Sequence, residues 1–346
     1  MNSKDISIIL QGPLYEEYPI KKTVENLRVV FPGCQIILSS IESYTDNNKI
    51  FDKIVKVDDP GELPPLKFDS RPNNINRQIK STVLGIKNAD RPLILKLRTD
   101  QNLNTNKILT LWNEIQKYNK NRNNIYSIGR ILTISLFSLK PYLNERFPYH
   151  ISDILLFGYR QDLERYFSCP IYPKEYANWY EKNPHASYSN LVERKFRSRY
   201  AVEQWLCLNF FFPKQDFPIH FHNHHNEQII KEFEDKISDT FFICHPKDID
   251  LSMPKFQKSY DSPFCNFYCY STKDFINLLH NKHNITVNFK PQYAFPDAVE
   301  NREKLFKIYH LSPYLIKRIF NLKKTILKIY SFFSIIRKQK LNKTDN

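Results

Sequence analysis

The stretch ILKLRTDQNL, residues 94–103, decides the fold, because an apolar run in it stops abruptly at polar residues. The run has the composition of a buried β-strand, and Arg98, Thr99 and Asp100 follow at its carboxyl end. Open α/β sheets bind ligands beyond the carboxyl ends of their strands. The stretch therefore predicts a central strand that delivers a guanidinium and a carboxylate to a binding site.

The segments before this strand alternate between apolar runs and helical periodicity. The predicted strands cover residues 5–10, 34–41, 53–57 and 93–98, and the predicted helices cover residues 19–31 and 73–89, the second capped by Asn73 or Asn74. Such alternation is typical of an α/β domain whose apolar, largely parallel sheet is covered on both faces.

The pattern after residue 105 is less regular and shows no internal repeat. Helices are predicted over 106–118, from about Gln161, over 192–211 and over 271–283. One or two strands are predicted within 125–140. A short strand is predicted from Asp153 to Phe157, followed by a turn at Gly158. Residues 170–190 are aromatic and irregular. Residues 213–270 predict short strands and loops.

Polar residues follow each of the first four predicted strands. They are Gln11, Gly12 and Pro13; Ser39 and Ser40; Asp58 and Asp59; and Arg98, Thr99 and Asp100. Because the carboxyl ends of parallel strands meet at one edge of a sheet, their convergence predicts a ligand site there. The chain has neither GxGxxG nor GxxxxGK[ST], so a bound phosphate has to be met by Arg, Lys, a helix N-terminus or a metal.

The net charge of +15 is concentrated toward the end of the chain. Residues 304–344 contain eleven Lys or Arg and no Asp or Glu. Apolar residues recur there at helical spacing, namely Leu315, Ile319, Leu322, Ile326, Ile329, Phe333 and Ile336. A basic amphipathic helix over 312–340 predicts binding in the plane of an anionic membrane surface, with an ordinary packing helix as the alternative. Nucleic acid is not a predicted partner, because lysine dominates and the apolar face is continuous.

The six cysteines include no CxxC pair and predict reduced thiols in a cytosolic compartment. Cys265 and Cys269 lack the usual spacing of a zinc site.

The first residues do not have the pattern of a signal peptide. No window holds the ~18 uninterrupted apolar residues of a membrane-spanning helix.

Several segments, in this order, resemble the WavE lipopolysaccharide-synthesis family of bacteria. They are IILQGPL, DDPG, NNINRQIKSTVLGIKNA, LKLRTD, SDILLFG and VEQWL, and the resemblance covers roughly residues 5–245. It implies a GT-A-like fold, the nucleotide-diphospho-sugar transferase architecture with a Rossmann-like mixed sheet. It implies a transferase domain over 1–245 and an extension over 246–303 that completes it, followed by the basic tail, 304–346.

The resemblance also implies where a nucleotide-sugar donor binds. Arg98-Thr99-Asp100 stands where GT-A enzymes have a metal-binding DxD motif, with Arg in place of the first Asp. Either Asp100 ligates Mg²⁺ or Mn²⁺ together with diphosphate oxygens and water, or Arg98 binds the diphosphate directly. The third alternative is an ion pair of Arg98 with Asp100 or with Asp59 that only seals the sheet. The residues implied for the donor are Gln11, Gly12, Pro13, Ser39, Ser40, Asp58, Asn76, Arg77, Lys80, Arg98 and Thr99. For Asn76 the alternative is a helix-capping role.

On the acceptor side, Asp153 and Glu203 resemble the acidic positions that serve as base or sugar ligand, and each is alternatively a cap or salt-bridge partner. In HFHNHH, alternation would place His220, His222 and His224 on one strand face near Glu227 as a metal site, but a polar loop is the preferred interpretation. The aromatic residues around Trp179, Tyr180 and Tyr188 predict either sugar stacking or a packed loop.

Taken with the basic tail, the resemblance implies a glycosyltransferase of lipopolysaccharide or capsule biosynthesis. It would move a sugar from a nucleotide-sugar donor to a lipid-linked glycan acceptor. We expect it to be cytoplasmic and peripheral, on the inner face of the bacterial inner membrane. The alternative is a non-catalytic membrane-surface scaffold that keeps a degenerate GT-A fold.

Overall fold

A seven-stranded sheet organises the chain in the computed structural model, which describes residues 2–68, 70–119, 124–142, 145–260, 265 and 268–291. The strands are β1 (Ile6–Gln11), β2 (Gln35–Ser40), β3 (Lys53–Lys56), β4 (Leu93–Arg98), β5 (Asn102–Leu103), β6 (Ile131–Ile134), β7 (Leu156–Tyr159), β8 (Phe241–Cys244) and β9 (Leu251–Ser252). The order in the large sheet is β3-β2-β1-β4-β7-β6-β8, and β5 pairs with β9 in a separate ribbon. The α/β class with a mixed sheet is confirmed.

The direction of β7 determines which residues lie at the carboxyl edge of the parallel strands. The strands β3, β2, β1 and β4 are mutually parallel, so their carboxyl ends lie together. β7 runs antiparallel to β4, with Leu156 opposite Lys96, and therefore begins at the edge where β4 ends. The residues just before β7, including Asp153, are thus brought to the same edge as Arg98.

Helices cover the sheet and the regions that connect its strands. They are α1 (Ile20–Val30), α2 (Ile75–Lys87), α3 (Lys107–Gln116), α4 (Arg160–Phe167), α5 (Lys174–Ala177), α6 (Trp179–Lys182), α7 (Val202–Phe211), α8 (Glu227–Thr240), α9 (Gln257–Tyr260) and α10 (Thr272–His283). Short 3₁₀ turns cover Ser3–Asp5, Lys117–Asn119, Glu193–Lys195, Pro246–Ile249 and Pro254–Phe256.

Helix α2 packs tightly over β1 and β2, as its apolar periodicity predicts. Ile75, Ile79 and Ile86 are buried on its inner face. A Cβ at Gly85 would lie 2.5 Å from Ile9 Cγ2, so this helix approaches the strand closely only because that residue is glycine. The predicted cap is confirmed: Asn74 is the N-cap residue, and the Asn73 side chain accepts the hydrogen bond from the Ile75 N–H.

Two predicted elements around the second half of the sheet are wrong. Gly158 is not a turn but lies inside β7, opposite Ile94, because the pairing with β4 continues to Tyr159. The helix predicted over 192–211 begins only at Val202. The backbone before it is hydrogen-bonded to another loop instead: the Arg197 N–H donates to the Leu66 carbonyl over 2.8 Å.

Residues 213–270 contain a helix that the prediction of short strands and loops misses. Helix α8 has Asn226 as its N-cap, whose side chain accepts from the Ile229 N–H. Ile229, Phe233 and Ile237 are buried at helical spacing, and this pattern is the signal that could have located the helix. Within 125–140, only Ile131–Ile134 forms a strand.

The structure bears on the predictions about membrane helices and cysteines but not on the basic tail. Among the described residues, no helix has the length and apolar content needed to cross a bilayer. All six cysteines are free thiols, and Cys169 alone is not fully buried. The basic tail over 304–346, with the anchor predicted at 312–340, lies outside the described residues.

Candidate functional site

The segments that follow β1 and β4 are bonded to one another at the carboxyl edge of the sheet. Gln11 lies opposite Arg98, and the Thr99 N–H donates to the Gln11 carbonyl over 3.1 Å. The Thr99 hydroxyl donates to the Pro13 carbonyl. Gly12 has a φ of +127°, and a Cβ there would lie 3.3 Å from Thr99 Oγ1, so glycine suits this position. These predicted donor residues therefore fix the shape of the edge.

Arg98 and Asp100 form a bidentate ion pair at this edge. Arg98 Nε donates to Asp100 Oδ1 and Nη2 donates to Oδ2, each over 2.8 Å. The Asp100 side chain is 1% exposed, whereas that of Arg98 is 26% exposed. The guanidinium therefore faces outward with the carboxylate behind it, and Nη1 takes no part in the pair.

A further cation, Lys255, lies beside Arg98 and was not predicted from the sequence. Lys255 Nζ lies 5.8 Å from the centre of the Phe256 ring and 5.8 Å from that of Tyr15. The Arg98 guanidinium lies 5.5 Å from the same Phe256 ring. Burial, and then the charges of Arg98 and Arg71, lower the pKa of Lys255. Lys255 is distant in sequence from β4, so no local pattern signals its place here.

Asp153 is held beside these cations by two polar side chains from neighbouring elements. The Gln78 amide on α2 donates to Asp153 Oδ2. The fully buried Lys96 of β4 donates from Nζ to the Asp153 carbonyl over 2.6 Å and to the Ile154 carbonyl over 3.4 Å. Burial lowers the pKa of Lys96 to about 8. A lysine inside an otherwise apolar strand is the sequence signal for this role.

Glu203, in the first turn of α7, faces His150 and shares its environment with Asp153. His150 Nδ1 donates to the Phe137 carbonyl over 2.8 Å, so Nε2 is the acceptor of the neutral ring, and it lies 3.4 Å from Glu203 Oε2. Burial and the nearby Asp153 raise the pKa of Glu203 to about 8, and burial lowers that of His150 to about 4. At neutral pH, Glu203 therefore keeps its proton and His150 is uncharged.

This arrangement predicts how stability depends on pH. Between pH 6.5 and 8 the unfolded chain has lost the Glu203 proton while the folded chain retains it, so the free energy of unfolding falls as pH rises. His150 does not contribute to this pH dependence above the pKa of histidine in the unfolded chain, because it is then neutral in both states. We expect a loss on the order of 2 kcal/mol across this window relative to Glu203→Gln, measured by urea denaturation. Equal slopes in both proteins would contradict the raised pKa of Glu203.

Ser39, Ser40 and Asp58, three of the residues implied for the donor, differ in how far their side chains are already bonded to the protein. The buried Ser39 hydroxyl donates to the Ser81 carbonyl of α2 over 2.6 Å. The Ser40 hydroxyl accepts from the Glu42 N–H over 3.1 Å. Asp58 is exposed, and within the described ranges its side chain forms no hydrogen bond or ion pair. Asp58 is thus the member of this group most open to a ligand.

The predicted donor residues on α2 are engaged with protein groups. Asn76 Nδ2 donates to the Tyr172 carbonyl over 3.2 Å, and its Oδ1 accepts from the Tyr172 N–H over 2.6 Å, which is a packing role and not the predicted cap. Arg77 donates through Nε and Nη2 to the Asp59 carboxylate, each over 2.8 Å. Lys80, one turn further, is half-buried and contributes positive charge near Asp59.

The histidine segment 220–225 forms turns and bends, so the alternation of a strand does not apply to it. His222 is buried, stacked on Phe196 at 4.6 Å between ring centres, and its Nε2 lies 3.2 Å from the Glu193 carbonyl. His220 and His224 stack on each other at 5.0 Å. Their ring contacts are those of a packed loop.

The aromatic residues predicted for sugar stacking differ in exposure. Tyr180 is buried and stacks on His185 at 3.8 Å. Trp179 is half-buried, and its ring centre lies 4.5 Å from the Arg199 guanidinium. Tyr188 is 45% exposed. Of the three, Tyr188 presents the most surface to a ligand.

The groups at the sheet edge do not fit a divalent metal at Asp100. Both carboxylate oxygens accept from Arg98, and the side chain is buried, so its oxygens are not presented to a ligand. In the described part of the chain, no group of three or more His, Cys, Asp or Glu side chains could hold a metal. Mg²⁺ and Mn²⁺ require oxygen ligands that are free to coordinate. The charged groups that accompany this carboxylate are the cations Arg98 and Lys255.

Comparisons with known proteins give one family match and distant structural similarities. A comparison with curated protein sequences gives no match. The chain is similar to S. aureus TarS, at 12% identity over 83% of this chain and 44% of TarS, with a TM-score of 0.34. It thus spans less than half the length of TarS. It is also similar to the galactosyltransferase LgtC, solved with donor and acceptor sugar analogues, at 12% identity over 83% of this chain and 98% of LgtC, with a TM-score of 0.31.

A family model described as WavE lipopolysaccharide synthesis matches residues 6–309, which include every strand of the sheet and every residue of the site described above. The match extends beyond the segments in which the sequence resemblance was noted, and it covers most of the chain. The protein therefore belongs to the WavE lipopolysaccharide synthesis family.

Proposed function

We propose that the protein is a glycosyltransferase that moves a sugar from a nucleotide-sugar donor to a hydroxyl of a lipid-linked glycan in lipopolysaccharide or capsule biosynthesis. Membership of the WavE family supports the pathway. One observation carries the reaction: the pairing of β7 with β4, together with the hydrogen bond from Lys96 Nζ to the Asp153 carbonyl, brings Asp153 to the carboxyl edge of β4, where Arg98 lies. A base and a cation side by side are the two groups that glycosyl transfer needs.

The proposed chemistry assigns different roles to the two acidic residues. Asp153 accepts the proton of the acceptor hydroxyl as that oxygen attacks the sugar. Positive charge at Arg98 stabilises the negative charge that develops on the leaving diphosphate. Glu203 is protonated near neutral pH and faces His150. It therefore contributes a wall of the acceptor site and does not compete with Asp153 for the proton of the acceptor hydroxyl.

Donor binding provides the direct test of this function. We expect one of a panel of UDP-, GDP-, CMP- and dTDP-sugars to stabilise the protein by about 2.7 kcal/mol at a hundred times its dissociation constant, seen as a thermal shift. Arg98→Gln should remove the shift, whereas Arg91→Gln, at an exposed arginine, should keep it. If no donor shifts the unfolding temperature, the protein is a non-catalytic scaffold.

We propose further that the basic tail holds the enzyme on the cytoplasmic face of the inner membrane, where lipid-linked acceptors lie. Deleting 312–346 should move the protein from anionic vesicles to the soluble fraction in a flotation assay, because each Lys or Arg near such a surface contributes about 1 kcal/mol. Changing Lys317, Lys323, Lys324 and Lys328 to Gln should weaken binding to anionic but not to neutral vesicles. Unchanged flotation of the deletion variant would remove the tail from membrane binding.

A further inference from the structure

We infer that Arg98 and Lys255 together bind the diphosphate of the donor without a metal ion, and that Asp100 serves to position Arg98. This inference rests on the proposed function and names the groups that recognise its substrate. It assigns a binding role to Lys255, which belongs to the part of the chain after the predicted transferase domain.

The β5–β9 ribbon explains how a late residue reaches the site. The chain leaves β4 at Arg98 and forms β5 at once, where Asn102 pairs with Ser252 and Leu103 pairs with Leu251. The strand β9 continues directly into the Pro254–Phe256 turn. The ribbon therefore places Lys255 beside the carboxyl end of β4, where the donor would bind.

The contacts of Lys255 are those of a cation that lacks a counterion. Its Nζ lies near the rings of Tyr15 and Phe256, and within the described ranges it forms no ion pair. Lys255 is exposed, yet partial desolvation and the charges of Arg98 and Arg71 lower its pKa. The charge of Asp100 offsets only part of this effect, because the pKa of Lys255 is still lowered. An anion bound between Lys255 and Arg98 would neutralise like charges that the fold brings together.

The orientation of the Arg98–Asp100 pair favours phosphate over metal. The exposed group is the guanidinium, whose planar N–H donors match phosphate oxygens in bidentate fashion. The Asp100 carboxylate is buried behind it and holds the guanidinium through Nε and Nη2. A metal ligand would need the opposite arrangement, with the carboxylate facing outward.

Binding of inorganic pyrophosphate to the full-length protein tests the inference, because this probe contains only the shared diphosphate group. In calorimetric titrations with EDTA present, we expect one pyrophosphate to bind per chain. Lys255→Gln should weaken binding at least tenfold, which corresponds to about 1.4 kcal/mol. Lys258→Gln, which removes the same charge from an exposed lysine three residues away, should change affinity less than twofold. Equal affinities of the two variants would overturn the role of Lys255.

A second variant separates the cation site from a metal site. The Asp100→Asn variant should still bind pyrophosphate in EDTA, and more tightly than the Lys255→Gln variant does. The substitution removes a carboxylate that positions Arg98, and not a group that contacts the diphosphate. Adding Mn²⁺ should leave the wild-type affinity unchanged. Binding that requires Mn²⁺ and disappears in Asp100→Asn would overturn the inference while leaving the proposed transferase intact. If neither pyrophosphate nor any nucleotide sugar binds, the proposed function itself fails.

Discussion

Replacing Asp153 with asparagine is expected to lower the rate of glycosyl transfer by about 10²- to 10⁴-fold, the usual contribution of a positioned general base. Asn has nearly the same shape and can still accept the hydrogen bond that Gln78 donates. The Lys96 ammonium bonds to backbone carbonyls, and these are unchanged by the substitution. The loss should therefore appear in the rate of the chemical step, with the fold and donor affinity retained.

The measurement is single-turnover transfer from a saturating donor, with the melting temperature and donor affinity recorded for each variant. Glu203→Gln provides a matched control at the neighbouring acid. Because Glu203 is protonated near neutral pH and its Oε2 lies 3.4 Å from an acceptor nitrogen of His150, a neutral glutamine amide can take its place, and we expect less than a tenfold loss. If Glu203→Gln were inactive and Asp153→Asn active, the base would be Glu203.

Removing the Arg146 side chain is expected to destabilise the protein by about 3–5 kcal/mol, the cost of leaving a buried charge without its partner. Arg146 donates to the Glu193 carboxylate through Nη2 over 2.6 Å and through Nε over 2.8 Å, and the Glu193 side chain has no exposure. Burial would raise the pKa of Glu193, but its bonds to Arg146 hold it below the usual value. Without Arg146, the full desolvation cost of the carboxylate remains.

Chemical denaturation of Arg146→Ala measures this loss. Arg91→Ala, at an exposed arginine, should change the free energy of unfolding by less than about 0.5 kcal/mol. Adding Glu193→Gln to Arg146→Ala removes the unpaired charge and keeps an acceptor for the Asn190 N–H, so it should restore at least half of the loss. A double variant no more stable than Arg146→Ala would show that the charge of Glu193 is not the cause.

The first half of the sheet could be predicted because local pattern and tertiary environment agree there. The segment at β4 was located to the residue, since a covered strand is apolar along its length and ends where polar residues begin. The break in the helix before Val202 could not be predicted, because it depends on hydrogen bonds to the loop at Leu66. The register of β7, which places Gly158 within a strand, depends in the same way on pairing with β4.

The site was predictable only where its residues follow strand ends. Arg98, Thr99 and Asp100 adjoin β4, and their place at the edge follows from the strand itself. The observed Arg98–Asp100 ion pair was one of the alternatives that the sequence left open, and the choice among them depends on side-chain geometry. Lys255 depends on the pairing of two very short strands, β5 and β9, whose sequences carry almost no periodic signal.

The β5–β9 ribbon affects the point in translation at which the site is completed. The first four strands of the sheet can be synthesised and paired long before β9 emerges. Until then, Arg98 stands at the sheet edge without Lys255, and the growing chain has only part of its diphosphate site. A message cut short after β8 would yield a chain with all seven strands of the large sheet but a weaker diphosphate site, so tight donor binding would require translation past residue 255.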